Sequence, residues 1–195
     1  MRNFISEGNI EQAILAKLKE KSFNYDIVIC DTDTNKRDEL KDGTGRKSKK
    51  ECILSEVMQS ALLRINPSIE KEYIEQIVKE FRQDYSGTDI EYTNYKLYNQ
   101  IRNNIKITVN RNGKEDFDFV KLIDFENPEN NTFTAVSQMW IQGQVRYRRP
   151  DILIFINGMP IVFVELKNAT VKVEEAYNKN FKDYMSCLLY TSDAA

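Results

Sequence analysis

A mixed α/β domain is the fold class this sequence predicts, and three observations predict it. Apolar residues recur at helical spacing through the first half of the chain. From residue 105 the period changes to alternation, and two apolar runs near the end flank Asn157-Gly158. The 195 residues suit one domain with a sizeable core, and no internal repeat is visible. With 41% apolar and 30% charged residues the composition is that of an ordinary soluble globular protein, which excludes disorder, collagen and coiled coil.

The elements follow in order. Residues 7–20 form an amphipathic helix with Ile10, Ile14, Leu15 and Leu18 on one stripe. Glu7 and Glu11 fall on that same stripe, and a carboxylate on an apolar face needs a partner. Tyr25–Cys30 reads as a short strand. Residues 31–50 read as a flexible basic surface loop. Within it Gly43-Thr44-Gly45-Arg46-Lys47-Ser48 fails the phosphate-loop pattern, because Arg46 stands where Gly must precede the lysine. Residues 51–65 form a helix carrying Val57, Met58, Ala61, Leu62 and Ile65. After Asn66-Pro67 another helix begins, with Ser68 as its N-cap and Ile69, Tyr73, Ile77, Val78 and Phe81 as its buried stripe. A third stretch, 92–103, carries Tyr95, Tyr98 and Ile101 as packing residues.

Ile105, Ile107 and Val109 then alternate with polar residues up to a turn at Asn112-Gly113. Phe119, Leu122, Ile123 and Phe125 make a second strand, and residues 126–131 a loop. A further strand covers 133–141. The basic run Arg146-Tyr147-Arg148-Arg149 precedes Pro150, strands cover 151–156 and 160–166, and Val173 to Met185 make a closing helix.

Composition restricts the chemistry. The chain has no histidine, so Ser-His and Cys-His dyads, HExxH zinc sites and an imidazole base are excluded. Cys30, Cys52 and Cys187 lie far apart with no CxxC pair, so neither a zinc ribbon nor a disulfide framework is expected. Met1-Arg2-Asn3-Phe4 opens no signal peptide, and no apolar run approaches the ~20 residues of a membrane span. A reducing cytoplasm and no membrane are therefore expected. The net charge, 28 − 30 = −2, leaves a local basic patch open.

The informative segment runs from Arg149-Pro150-Asp151 to Glu165-Leu166-Lys167, a hairpin with ionisable residues at its open end. Glu165 and Lys167 are two apart on one strand and share a face. For Asp151 to lie across from Glu165, Ile156 must pair with Pro160. That makes Asn157-Gly158-Met159 a three-residue loop with Gly158 left-handed, since a two-residue loop would pair Asp151 with Val164 on the wrong face. Two carboxylates and an ammonium on one face make a hard-cation site. Asp151, Glu165 and the Leu166 backbone carbonyl would hold Mg²⁺, with Mn²⁺ as a substitute. Lys167 would steer the metal-activated water and neutralise a phosphate. A charged pair at an exposed strand edge is the competing reading.

Pro150-Asp151 followed by Glu165-x-Lys167 resembles the PD-(D/E)xK nuclease signature. More specifically, residues 61–67 (Ala-Leu-Leu-Arg-Ile-Asn-Pro), 122–131 (Leu-Ile-Asp-Phe-Glu-Asn-Pro-Glu-Asn-Asn) and 149–169 are similar to the N-terminal domain of the restriction (R) subunit of type I restriction–modification enzymes. The opening Ser6-Glu7 and Ile10-Glu11-Gln12-Ala13 also fit, so the resemblance spans about 6–185. It implies a restriction-endonuclease-like fold, a mixed central sheet flanked by helices, and Mg²⁺-dependent cleavage of double-stranded DNA. In that family an ATP-driven translocase occupies the rest of the subunit, and separate modification (methyltransferase) and specificity subunits handle methylation and recognition. No Walker or helicase motif occurs in this chain, so no ATP site is expected in it.

The resemblance also implies site residues. The family's first helix contributes an acidic metal ligand, for which Glu7 and Glu11 are the candidates. Its helix after Glu-x-Lys carries a Gln four residues before a Tyr, matched here by Asn180 and Tyr184, with the shorter Asn as a departure. Arg146, Arg148 and Arg149, at the mouth of the site, would contact DNA phosphates. Residues 1–186 are then the nuclease domain. The tail 187–195 departs from the family and reads as a non-native extension. Two other functions stay open: a catalytically silent DNA-binding or assembly module of the same fold, and another PD-(D/E)xK nuclease.

Overall fold

The structure is a computed structural model; it describes residues 6–30, 40, 42–83, 90–111, 113–142 and 147–167. Helix α1 (Glu7–Lys19) is capped by Ser6, whose hydroxyl accepts the Asn9 N–H at 3.2 Å. Strand β1 (Asp26–Ile29) is followed by three helices, α2 (Ser55–Ile65), α3 (Lys71–Phe81) and α4 (Ile90–Asn103). A hairpin of β2 (Ile105–Arg111) and β3 (Lys114–Val120) leads to β4 (Phe133–Ser137). Two-residue strands β5 (Ile141–Gln142) and β6 (Tyr147–Arg148) precede β7 (Ile152–Ile156) and β8 (Met159–Val164).

The central sheet has the order β1-β4-β7-β8. β1 runs parallel to β4, and the other neighbours are antiparallel, so the sheet is mixed. Both of its faces are covered, which explains why residues 152–156 are an unbroken apolar run. On one face Ile14, Leu15 and Leu18 of α1 meet Ile27, Ala135, Ile152, Ile154 and Val164. On the other, Leu54 and Val57 meet Val28, Val136, Leu153, Phe155 and Phe163. Successive residues of each strand alternate between these faces. A further core lies beyond, where Met58, Leu62, Ile74, Ile77 and Leu97 surround Val120 and Leu122. The mixed sheet flanked by helices is the architecture expected of a restriction-endonuclease-like fold.

Several sequence-based expectations are corrected. α3 starts at Lys71 with Glu70 at its N-cap, not at Ser68. Asn66 takes the chain through a turn first: its carbonyl accepts the Ile69 N–H, and its side chain bonds Leu62 and both backbone groups of Lys121. On α4 the buried stripe is Thr93 and Leu97, with Ile101 packed against the core, while Tyr95 and Tyr98 are 68% and 54% exposed. β3 ends at Val120, so residues 122–125 belong to a turn. There the Asn131 side chain accepts the Asp124 N–H and donates to the carbonyls of Asp124 and Pro128. The Asn130 amide and the Asn127 N–H, both donating to the Asp124 carboxylate, hold its pKa below the usual carboxylate value. The strand expected over 133–141 stops at Ser137, because Gln138 takes a left-handed conformation with φ 57°.

Of the loop expected over 31–50 to be basic and on the surface, residues 31–39 and 41 lie outside the described residues, and in the rest one basic residue is buried. Arg46 is 4% exposed. Its guanidinium donates to the Thr44 hydroxyl, the Glu51 carbonyl, the Trp140 carbonyl and the Asp42 carboxylate, the last at 2.7 Å. Burial pushes the Asp42 pKa up, but bonds from Thr44 and Arg46 outweigh it and hold the group below its usual value. Removing one partner of such a pair strands the other. Arg46→Ala is therefore expected to lower the unfolding free energy by about 3–5 kcal/mol. Urea denaturation at neutral pH measures it.

Candidate functional site

The β7–β8 hairpin reaches its register by a route the sequence did not indicate. Ile156 pairs with Met159, so the loop is the two residues Asn157-Gly158, not three. Both are left-handed, at φ 49° and 77°, as a type I′ turn requires. The three-residue loop fails because Met159 is a strand residue buried in the core. A bulge then corrects the count. Phe155 pairs with Pro160 but Ile154 with Val162, which leaves Ile161 as the extra residue on β8. Pro160 has no N–H to donate, and proline in a sheet is confined to edges and bulges. Beyond the bulge Ile152 pairs with Val164. The same offset carried one residue further sets Asp151 across from Glu165.

The turn is fixed from two sides. The Asn157 side chain, fully buried, donates to the Leu122 carbonyl and Asn131 Oδ1 and accepts the Thr132 N–H at 2.7 Å. The polar stretch 122–131 thus supports the hairpin. Gly158 lies against the N-terminus of α2 and its carbonyl accepts the Leu54 N–H at 2.8 Å.

At the open end, Asp151 Oδ2 accepts the Leu166 N–H at 2.6 Å, which ties the two strands together. Asp151 Oδ1 accepts from Gln138 Nε2 at 3.2 Å, and the same amide nitrogen donates to Glu11 Oε2 at 2.8 Å. The Ser137 hydroxyl donates to the other oxygen of Glu11. The Gln138 N–H also bonds the Asp151 carbonyl at 3.0 Å. Glu11, 8% exposed, thereby finds the partners its place on an apolar stripe demanded. Glu7 stands one turn earlier on α1, half-buried. Lys167 Nζ contacts Glu165 Oε1 at 2.6 Å, with the two side chains 29% and 16% exposed.

Sequence reasoning named Glu11 and Asp151 but missed what joins them. Ser137 and Gln138 form that joint, and their only signal was a polar pair at the end of a buried strand. Arg148 lies in β6 opposite Ile141, and Arg149 sits over the Trp140 ring, 5.2 Å from its centroid. Arg146, Asn180, Tyr184, the closing helix and the tail 187–195 lie outside the described residues.

Among the described residues, no three Cys, Asp or Glu side chains are gathered so as to hold a metal ion. The carboxylates are met by amide, hydroxyl and ammonium groups instead. The chemistry of the donor set nevertheless fits a hard divalent cation: Glu11, Asp151 and Glu165 offer carboxylate oxygens, and Leu166 a backbone carbonyl.

The family described as "Type I restriction enzyme R protein N terminus" matches residues 4–187. The chain is 28% identical over 200 residues to the type I restriction enzyme HindI endonuclease subunit of Haemophilus influenzae, a match covering 97% of this chain and 18% of that protein. It is 29% identical over 176 residues to a Methanocaldococcus jannaschii protein provisionally named type I restriction enzyme MjaIXP endonuclease subunit, covering 87% of this chain and 16% of that protein. A second protein of that archaeon, provisionally the MjaVIIP endonuclease subunit, is 40% identical over 70 residues, or 36% of this chain and 6% of its own length. The chain thus spans less than a fifth of the length of these relatives. With its mixed sheet and a family match over nearly all of its length, the chain belongs to the type I restriction enzyme R protein N-terminus family.

Proposed function

We propose that this domain is the DNA-cleaving part of a type I restriction enzyme and hydrolyses phosphodiester bonds of double-stranded DNA with Mg²⁺, or Mn²⁺ in its place. The observation that carries the reading is the bulge at Ile161. It restores a register that ends with Ile152 paired to Val164 and that, continued one residue past the end of β8, brings Asp151 opposite Glu165, two residues before Lys167. Asp151, Glu165, the Leu166 carbonyl and Glu11 would hold the cation. When bound it acidifies water and stabilises charge on a phosphate. The chain's own groups do the rest. Lys167 neutralises the phosphate and orients the attacking water, and Arg148 and Arg149 grip the backbone beside it. A longer protein would add an ATP-driven motor, and modification and specificity subunits would complete the complex. No helix among the described residues is long and apolar enough to cross a membrane.

A catalytically silent DNA-binding or assembly module is the second reading. It draws on the way Gln138 and Lys167 already engage Asp151, Glu11 and Glu165. Calorimetric titration with Mn²⁺ separates the two. The nuclease reading expects binding by the unsubstituted chain that Asp151→Asn and Glu165→Gln each abolish. No binding by the unsubstituted chain, with duplex affinity the same in both variants, selects the silent module.

A further inference from the structure

Two basic segments that are about 100 positions apart meet in the fold. Residues 43–50 contain Arg46, Lys47, Lys49 and Lys50 and no carboxylate; residues 143–150 contain Arg146, Arg148 and Arg149 and again no carboxylate. The first segment is fastened to β5 at two points. The buried Arg46 guanidinium donates to the Trp140 carbonyl at 3.0 Å, and the Gln142 N–H donates to the Lys49 carbonyl at 2.9 Å. Gln142 in turn pairs with Tyr147 across the β5–β6 ladder. The segment therefore lies along the outer side of β5, with β6 on the inner side.

Aromatic rings join the two sets of cations. Trp140 and Tyr147 meet edge to face at 6.4 Å, Lys49 Nζ stands 6.0 Å from the Tyr147 centroid, and Arg149 packs over Trp140. Such contacts hold long flexible side chains in place. Lys47, Lys50 and Arg149 are exposed. Arg149 is two residues from Asp151, a reach of at most about 7 Å.

We infer that Lys47, Lys49 and Lys50 join Arg149 in one continuous ridge that tracks the phosphates of duplex DNA away from the Asp151 end of the hairpin. The inference rests on the nuclease reading and extends it to a loop that the metal chemistry does not involve. Arg46 acts here as a positioning residue, holding the loop against β5. The ridge reads no sequence; it sets the path and register of the duplex.

Salt dependence tests it. The 195-residue chain is titrated onto a fluorescein-labelled duplex without divalent cations, and anisotropy gives affinity across a salt series. Each phosphate that the protein ceases to neutralise reduces the log–log salt slope by about 0.9. The triple substitution K47A/K49A/K50A is expected to weaken binding and reduce the slope by about 2–3. The charge-preserving K47R/K49R/K50R triple is expected to keep the original slope, with unchanged thermal unfolding in both. K71A/K106A/K114A, which removes equal charge elsewhere, is expected to leave the slope near its original value. If K47A/K49A/K50A matches the unsubstituted chain in affinity and slope, the ridge does not carry DNA and this inference alone falls. If the unsubstituted chain binds no duplex at any salt, the nuclease reading falls with it.

Discussion

In an enzyme assembled around this domain, Lys167→Ala is expected to lower DNA cleavage by about 10²–10³-fold or more while ATP hydrolysis and translocation by the attached motor continue. The magnitude is that of removing one preorganised charge-stabilising group from a reacting centre. Asp151→Ala and Glu165→Ala are expected to abolish cleavage too, but Lys167 gives the clearer result. Asp151 also fastens Leu166 and accepts from Gln138, so its loss disturbs the strand ends as well as the chemistry. Lys167 Nζ contacts Glu165 and is 29% exposed, and none of the strand-end hydrogen bonds made by Asp151 depends on it. The measurement is single-turnover cleavage of a plasmid alongside ATPase rate on the same preparations. Unaltered cutting by Lys167→Ala would overturn the assignment.

Gly158→Ala is expected to have the largest effect on folding. A Cβ at this position would lie 2.5 Å from the Leu54 carbonyl oxygen, 2.7 Å from the Met58 nitrogen and 2.9 Å from the Met58 Cβ. Two of those atoms are backbone at the start of α2, so no rotamer change relieves the overlap. The residue also sits at φ 77°, which disfavours any side chain. Overpacking and left-handed strain together set the cost at about 3–5 kcal/mol, a large part of a typical domain's stability. Gly113 provides the internal comparison. It has nearly the same φ, 79°, but no heavy atom within 4 Å of its would-be Cβ. Gly113→Ala should cost only the backbone term, about 1–2 kcal/mol. Chemical denaturation of both variants measures the difference; equal costs would show that the approach of α2 to the turn does not matter.

The sequence disclosed the parts of this molecule that depend on periodicity. The stripe of α1, the alternation in β2 and the apolar runs of β7 and β8 each reveal themselves within a few residues, because burial imposes a repeat of 3.6 or 2. Glu11 was visible for the same reason, as a charge out of place on such a stripe. What was hidden depends on contacts between distant segments. The hairpin loop length is decided by Gly158 touching α2 and by Met159 being needed in the core, neither of which the local sequence records. Gln138 looked like one polar residue in a strand. Its left-handed backbone and its amide, set between Glu11 and Asp151, exist only once three elements have met. Arg46 looked like surface charge because its acceptors include carbonyls at residues 51 and 140. Tyr95 and Tyr98 show the opposite error, aromatic residues assigned to a core that Leu97 alone enters from that part of α4.

The bulge at Ile161 has an evolutionary corollary. What matters to the pair at the open end is parity: an odd residue must be inserted somewhere between the tip and Glu165. Here Met159 in the core and Gly158 against α2 bar a longer tip, so the extra residue falls on the outer strand; in a hairpin without those contacts a tip lengthened by one would meet the same count. Exchanging one solution for the other would keep the count between Pro-Asp and Glu-x-Lys constant while turning the intervening residues to opposite sides of the sheet.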